Sequence, residues 1–151
     1  MGRIYVALLE GVSVGVLGTL VEFTAPSTKT MQLMEAWITQ DTSETSTQEV
    51  AQIVRKTAAG TSMTSFTPRL LETGDAAFGG TARIFLSGQG EGTLGDSLRR
   101  EGFNILNGWL YVPIPENRII VAPSGILALR LAVTPAAAIT ISAGMIFEEI
   151  G

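Results

Sequence analysis

Residues 31–40 decide the fold class: they read MQLMEAWITQ and are followed by the polar run DTSETST at 41–47. Successive side chains of a β-strand point to opposite faces. The stretch therefore predicts one face made of the odd-numbered residues from Met31 to Thr39 and another made of the even-numbered residues from Gln32 to Gln40. No segment of the chain has the period of a long amphipathic helix. The pattern favours β structure.

Similar short segments recur along all 151 residues, separated by glycine, proline and small polar residues. The dipeptide Asn107-Gly108 is a strong hairpin signal and predicts that the segments on its two sides pair with each other. The Thr-, Ser- and Gly-rich segment 57–81 is expected to be functional or pinned by packing. The strands are expected at 4–9, 20–24, 31–40, 49–56, 82–86, 98–105, 109–112, 119–121, 127–133 and 138–148.

A series of about ten short strands is typical of an all-β sandwich or barrel. We expect one domain over residues 1–151, a jelly-roll β-sandwich of about eight core strands. Residues 1–19 are interpreted as a docking arm or an extra edge strand. An immunoglobulin-like sandwich is the alternative, although it is usually shorter and its Cys–Trp–Cys pattern is absent here.

The composition excludes several classes of chemistry. The chain has no cysteine and no histidine, which rules out a disulfide framework, a Ser-His-Asp triad and ordinary zinc or haem ligation. Its net charge of −4 is not that of a nucleic-acid-binding protein. The apolar stretch 126–147 contains Arg130 and Pro135 and alternates near its end, so we expect no membrane span. We expect no catalytic residue, cofactor or metal.

Charged residues make up only 16% of the chain, whereas about 25% is usual in soluble domains. A small domain with so few charges has difficulty covering itself with polar groups. We therefore expect part of its surface to be buried against copies of itself or against another protein.

Two pairs of carboxylates are candidates for acid–base chemistry. Glu148 and Glu149 are adjacent on a predicted strand, so their side chains should point to opposite faces. Glu72 and Asp75 share a loop that could bring them together or expose each of them singly. Neither pair therefore predicts a catalytic site.

Two further motifs are weak. The run from Gly90 to Gly95 matches G-x-G-x-x-G, but the short segment that follows is broken by Gly102, so a flexible loop is favoured over a nucleotide site. Loop carboxylates could bind calcium, yet the characteristic D-x-D-x-D-G string is absent. The candidate ligands are Asp41, Glu44, Glu72, Asp75 and Asp96.

Charged side chains in the long segment predict a structural contact. Arg69, which follows Pro68, and Asp75 bracket one loop, and a salt bridge between them would staple it. A ligand-binding role for the pair is the alternative. Arg130 is expected to pair with acids on neighbouring strands or subunits, as are Arg99 and Arg100.

The two tryptophans, Trp37 and Trp109, lie in segments that also carry core-type residues. Core or interface packing is the favoured interpretation of both. A sugar-stacking platform formed with Tyr5 and Tyr111 is the alternative.

Several motifs, spread from Phe23 to Glu149, together carry a family resemblance. They are Thr67-Pro68-Arg69-Leu70-Leu71, Gly74-Asp75-Ala76-Ala77, Pro115-Glu116-Asn117-Arg118, Leu127-Ala128-Leu129-Arg130-Leu131, Pro135-Ala136 and Glu148-Glu149. In order and spacing the chain resembles a group of small virion-associated proteins of tailed bacteriophages. In architecture alone it is similar to the jelly-roll decoration, or cement, proteins that sit as trimers on phage heads.

The resemblance implies a non-enzymatic protein on the capsid surface of a virion, with itself, as a homotrimer, and the major capsid protein as partners. The N-terminal segment and one set of loops are expected to touch the shell, and segment 57–81 a sister subunit or the shell. The alternatives are a receptor- or glycan-binding module of a fibre, a small β-sandwich hydrolase and a cellular trimeric ligand of similar jelly-roll type.

Overall fold

In a computed structural model of the chain, the described residues are 2–42, 46–85 and 90–151. They form twelve β-strands and one short 3-10 helix, Pro115–Asn117. The strands are β1 (Ile4–Val14), β2 (Gly18–Thr24), β3 (Thr30–Gln40), β4 (Gln48–Ala58), β5 (Thr64–Phe66), β6 (Arg69–Leu70), β7 (Thr81–Ile84), β8 (Thr93–Asn104), β9 (Trp109–Tyr111), β10 (Ile120–Val121), β11 (Ile126–Leu131) and β12 (Ile139–Ile150). The prediction of an all-β chain is confirmed.

The strands form two antiparallel sheets. Sheet A has the order β10-β3-β12-β1-β6, with β9 also paired to β3, and sheet B has the order β5-β7-β2-β11-β4-β8. Alternate side chains of both sheets meet in one hydrophobic core, an arrangement consistent with a β-sandwich. The two C-terminal strands are central, because β12 lies between β1 and β3, and β11 lies between β2 and β4.

Aromatic side chains join the two sheets at the centre of the core. Phe23 of β2 stacks on Phe147 of β12 with ring centroids 4.1 Å apart. Phe78, from the segment before β7, meets Phe147 at 5.2 Å and Tyr5 at 5.1 Å. Such pairs stabilise a core by more than their buried area alone.

The long segment 57–81 closes one side of the sandwich. Within it β5 pairs with β7 in sheet B and β6 pairs with β1 in sheet A, so the chain crosses between the sheets at the buried Pro68. The Tyr5 hydroxyl donates to the carbonyl oxygen of Ala76 at 3.2 Å. Packing therefore holds this segment on the sandwich.

The N-terminal residues belong to sheet A. β1 pairs with β12 along its length and with the two-residue β6 at Tyr5 and Val6 only. Gly11, with φ of 59°, lies where the register with β12 shifts. Residues 4–14 therefore form a strand of the sheet rather than an arm that extends from it.

The predicted alternation of residues 31–40 is wrong after Leu33. Met31 and Leu33 are buried, but so are Ala36 and Ile38, while Trp37 is only partly buried. The register with β12 shifts between Leu33 and Glu35, which is the signature of a β-bulge. One extra residue in β3 moves all later side chains to the other face.

The predicted hairpin at Asn107-Gly108 is also wrong, although a turn is present there. The Asn107 and Gly108 amides donate to Asn104 and Ile105, and Gly108 has φ of 70°. However, β8 pairs with β4 in sheet B, whereas β9 pairs with β3 in sheet A. The turn connects the two sheets, because core packing separates the strands that a local signal would join.

We expect Phe78→Ala to lower the free energy of unfolding by about 2 kcal/mol, because a half-buried aromatic ring leaves the Tyr5–Phe23–Phe147 cluster. Urea denaturation measures this loss, and hydrogen exchange should show faster opening of residues 71–80. The control is Leu71→Ala, which removes an exposed side chain of the same segment. Equal effects of the two substitutions would contradict the role given to Phe78.

Candidate functional site

The middle of the outer surface of sheet A is apolar, although the outer surface of an antiparallel sheet is commonly polar. Cross-strand pairing sets its side chains in two adjacent rows. We call this surface the Trp37 face. It consists of Leu8, Gly144, Trp37 and Leu110 in one row and of Val6, Ile146 and Glu35 in the next.

Gly144 makes room for the Trp37 ring. A Cβ atom at position 144 would overlap that ring and would also crowd Leu8. The indole therefore lies across β12 and reaches towards β1. Beside it, Leu110 is 63% exposed. The row thus presents a continuous apolar surface from β1 to β9.

A groove of about 400 Å³ borders the Trp37 face where β3 meets the turn after β8. Its polar groups are the carboxylate of Glu35, the hydroxyl of Thr39 and the amide of Asn107. The groove is lined by Glu35, Trp37, Thr39, Asn107, Gly108, Trp109 and Leu110. An indole beside polar groups can accommodate either an apolar side chain or a sugar ring.

Trp109 lies on the opposite face of sheet A from Trp37. It pairs with the buried Ile38, is 7% exposed, and donates its Nε1 hydrogen to Glu101 Oε2 at 2.7 Å. Tyr111 stacks parallel to it at 6.2 Å. Tyr5 is also in the core. The structure therefore does not bring the two tryptophans and two tyrosines together in one exposed platform.

Glu101 and Arg99 connect the two sheets at this side of the sandwich. Arg99 of β8 donates to Glu101 and lies 4.9 Å from the ring centroid of Tyr111 in β9. Hydrogen bonds from Arg99 and Trp109 hold the pKa of Glu101 below its ordinary value, and the bond to Glu101 raises the pKa of Arg99. These contacts keep β8 and β9 together although they belong to different sheets.

The outer surface of sheet B carries a second cluster, a buried polar network. Glu22 of β2 is fully buried and accepts hydrogen bonds from Lys56 Nζ at 2.5 Å, the Gly60 amide at 3.0 Å and Arg83 at 3.4 Å. Lys56 Nζ also donates to the carbonyl oxygen of Glu91. Burial lowers the pKa of Lys56 although the Glu22 carboxylate acts against that shift.

Arg130 forms the second half of the network. Its Nε and Nη2 donate to the two carboxylate oxygens of Glu91 at 2.9 and 2.7 Å, and its Nη1 donates to Gln52 at 2.8 Å. Thr19 donates to Glu91 as well. Burial acts to raise the pKa of Glu91, but the hydrogen bonds from Arg130 and Thr19 outweigh it and hold that pKa below its ordinary value. The network ties the segments around Gly60 and Glu91 to sheet B.

The expected partners of Arg130 are thus found within its own chain. Sequence reasoning missed Glu22, Lys56 and Glu91, which complete the network. A signal was present, because Glu22 and Arg130 each interrupt an otherwise apolar strand, and a charged residue at such a position is rarely buried without a partner.

The predicted staple between Arg69 and Asp75 is wrong. Arg69 pairs with Glu10 at 3.4 Å on the exterior of sheet A, while Asp75 lies 4.0 Å from Arg3. Both pairs are solvent-exposed, and such pairs contribute little to stability. The segment is held instead by the buried Pro68 and by the half-buried Phe78.

Glu148 and Glu149 have separate partners. Glu148 accepts hydrogen bonds from Gln32 and the Gly2 amide, whereas Glu149 faces Arg3 and Lys29. Glu44 lies outside the described residues. Among the residues that are described, no three carboxylates converge as metal ligands would.

The glycine motif at 90–95 leads into a strand. Gly92 has φ of 80°, and β8 begins at Thr93, where a nucleotide site would need the start of a helix.

No helix long and apolar enough to cross a membrane is found in the described part of the chain. Comparison with protein-family models, with characterised proteins and with solved structures identifies no match.

We expect Lys56→Met to lower the free energy of unfolding by about 3 kcal/mol, because it leaves the Glu22 carboxylate buried beside an apolar side chain. Adding Glu22→Gln should recover part of that loss. Lys29→Met, at an exposed pair with Glu149, is the matched control and should change stability by less than about 0.5 kcal/mol. Urea denaturation of the four proteins provides the comparison; a double variant no more stable than Lys56→Met alone would argue against the pairing.

We expect Glu91→Gln to destabilise the protein by about 2 kcal/mol near pH 7. A carboxyl whose pKa is lowered by folding stabilises the folded state above its ordinary pKa of 4.5, and that contribution is lost as the pH falls through the lower folded value. The stability difference between the wild type and the variant should therefore shrink below about pH 4.5. Unfolding curves across this range measure it, and a difference that is independent of pH would refute the assignment.

Proposed function

We propose that the protein is a non-enzymatic structural protein that decorates the capsid shell of a tailed bacteriophage as a homotrimer and stabilises the shell. The distribution of its exposed apolar side chains carries the proposal. Of the eleven large apolar side chains that are exposed in the described part of the chain, ten fall in two regions. Six lie on β8, β9 and β10 or between β9 and β10, namely Leu94, Leu98, Leu110, Val112, Ile114 and Ile120; the other four are Val16, Leu17, Leu106 and Val133.

The strand order supports a jelly roll as the architecture. Leaving aside the short strands β5, β6 and β7, the first strand pairs with the last, β2 with β11, β3 with β9 and β10, and β4 with β8. If β9 and β10 are counted as one interrupted strand, four N-terminal strands pair with four C-terminal strands in a nested order, which supports the proposal of an eight-strand jelly roll. It connects the chain to the architecture expected for decoration proteins.

The four exposed residues of the second group lie in turns at one end of the sandwich. We call this region the turn end; it comprises residues 15–17, 105–108 and 132–138. The Leu17 amide donates to the Thr134 hydroxyl at 3.3 Å, which joins two of these turns. An apolar surface at the end of a rigid sandwich suits contact with a second protein surface. We assign the turn end to the capsid shell.

The assignment to a phage rests on the family resemblance. Its motifs fall at positions that hold the fold, since Arg130 of β11 anchors the buried network and Gly74 to Ala77 lead into Phe78. A trimer on the shell would stabilise it by mass action, because each bound copy favours the assembled state. Three linked copies would bind more tightly than one, since the second and third contacts are intramolecular.

We expect the purified chain to co-sediment with shells assembled from the major capsid protein of the same virus and to raise their thermal stability. Leu17→Glu should abolish co-sedimentation, because it places a charge in the apolar turn end. Leu71→Glu, an equally exposed apolar position away from that end, is the control and should bind normally. Shells that neither bind the wild type nor gain stability from it would refute the function.

A glycan-binding module is the second candidate, and the groove beside Trp37 favours it. Glu35, Thr39 and Asn107 supply polar groups next to an indole that is only partly buried. Such a module would bind oligosaccharides as an isolated domain, with a change in Trp37 fluorescence that Trp37→Ala removes. A glycan array combined with this titration distinguishes it from a decoration protein.

A further inference from the structure

We infer that the groove beside Trp37 binds an arginine side chain of the shell protein. The inference rests on the proposed function, because the shell supplies the arginine, and it adds the chemistry by which the contact is recognised. The groove shares Asn107 and Gly108 with the turn end, which we assign to the shell. A protein that rests on the turn end therefore reaches the groove.

The outer face of sheet A is acidic around its apolar middle. In the strands of this sheet, the charged side chains on the outer face are Glu10, Glu35, Glu148 and Arg69. Asp41, which follows β3, accepts a hydrogen bond from an outer hydroxyl group of β12. Carboxylates therefore outnumber cations on this side of the described chain. A surface of this charge is complementary to a basic partner.

Glu35 is the carboxylate of this face that lacks a partner. Glu10 pairs with Arg69, and Glu148 accepts hydrogen bonds from β3 and from the N-terminal segment. No described residue forms a salt bridge or a hydrogen bond with the half-buried Glu35 side chain. A carboxylate that has lost part of its hydration without gaining a donor favours a cation from another molecule.

Trp37 places an indole beside this carboxylate. Glu35 and Trp37 are two positions apart on β3, after the bulge, so their side chains leave the same face about 7 Å apart. Gly144 leaves space for the indole, which is only partly buried. A cation between the two side chains gains a salt bridge with the carboxylate and a cation–π contact with the ring.

The other polar groups of the groove favour a ligand that only donates hydrogen bonds. The Thr39 hydroxyl donates its hydrogen to the carbonyl oxygen of Ser142 at 3.4 Å, so its oxygen remains an acceptor. The side chain of Asn107 adds a carbonyl oxygen. A guanidinium has five N–H donors and no acceptor, and its planar shape stacks on aromatic rings. Arginine therefore suits the groove better than lysine does.

The size and charge of the groove favour an arginine over a sugar. Its volume of about 400 Å³ is at the small end of ligand pockets, which suits one side chain rather than an oligosaccharide. A neutral sugar would also leave the charge of Glu35 uncompensated. The apolar stem of an arginine, in contrast, can lie along the exposed Leu110 while its head group meets Glu35.

The first test uses N-acetylarginine amide, a probe that presents the side chain without a second charge. We expect it to shift the indole NMR signal of Trp37 saturably, in the millimolar range. N-acetylcitrulline amide has the same shape but a neutral head group, and it should bind at least about tenfold more weakly. Equal binding of the two probes, or the absence of a saturable shift, would overturn the inference.

The second test removes the charge of Glu35. Glu35→Gln should weaken binding of the arginine probe by at least about tenfold, because a neutral amide replaces the carboxylate. Glu10→Gln is the matched control, since it removes the same charge from the same face outside the groove. At physiological salt it should change the affinity by less than about twofold. Equal losses in the two variants would contradict a site at Glu35; circular dichroism and urea midpoints establish that both are folded.

Co-sedimentation with shells separates this inference from the proposed function. Glu35→Gln should weaken binding to shells, and Glu10→Gln should not. Shells that bind the wild type and Glu35→Gln equally would overturn the inference and leave the function intact. Shells that ignore the wild type, together with saturable binding of the arginine probe, would refute the function and support the groove. An oligosaccharide that shifts the Trp37 signal where the arginine probe does not would overturn the inference in favour of the glycan-binding module.

Discussion

The pairing of the two C-terminal strands at the centres of the two sheets is the constraint on which the rest of the structure depends. β12 holds β1 and β3 apart in sheet A, and β11 holds β2 and β4 apart in sheet B. Neither sheet is continuous until residues 126–150 are in place. Such long-range pairing costs loop entropy before contacts compensate for it, and therefore favours slow folding. The Trp37 face and the buried polar network both depend on these two strands, because Gly144 of β12 makes room for the Trp37 ring and Arg130 of β11 completes the network.

The two outer faces of the sandwich are treated differently, and this asymmetry carries most of the functional argument. The chain covers sheet B itself, with segments tied down by Glu22, Lys56, Glu91 and Arg130. It leaves the middle of the outer face of sheet A apolar, around Trp37 and Leu110. Covering a face requires residues and buried ion pairs, whereas a bare apolar face is costly in water unless another protein covers it. A sandwich with an apolar patch on one outer face is suited to contact with another protein.

Sequence reasoning succeeded where the signal was local. It predicted the positions of most strands, the all-β class and the pairing of Arg130 with acidic side chains. It failed where a local signal met a tertiary constraint. A single bulge at Met34 exchanged the faces of β3, and sheet pairing divided the strands around Asn107-Gly108 between two sheets. The predicted Arg69–Asp75 salt bridge is absent for the same reason. Arg69 pairs instead with Glu10 of β1, and Asp75 lies near Arg3, which precedes β1.

The sequence alone determined that this chain forms strands, that it lacks thiol and imidazole chemistry, and that its few charges leave apolar surface to bury. These properties depend on composition and on neighbours two residues apart, which a sequence displays directly. Only the tertiary structure decided which strands share a sheet, that Trp37 lies outside while Trp109 lies inside, and that Glu22 and Glu91 meet Lys56 and Arg130. Those outcomes depend on pairings between residues far apart in the chain, such as Ile4 with Glu148 and Glu22 with Lys56, and a one-residue shift of register reverses every side chain of a strand.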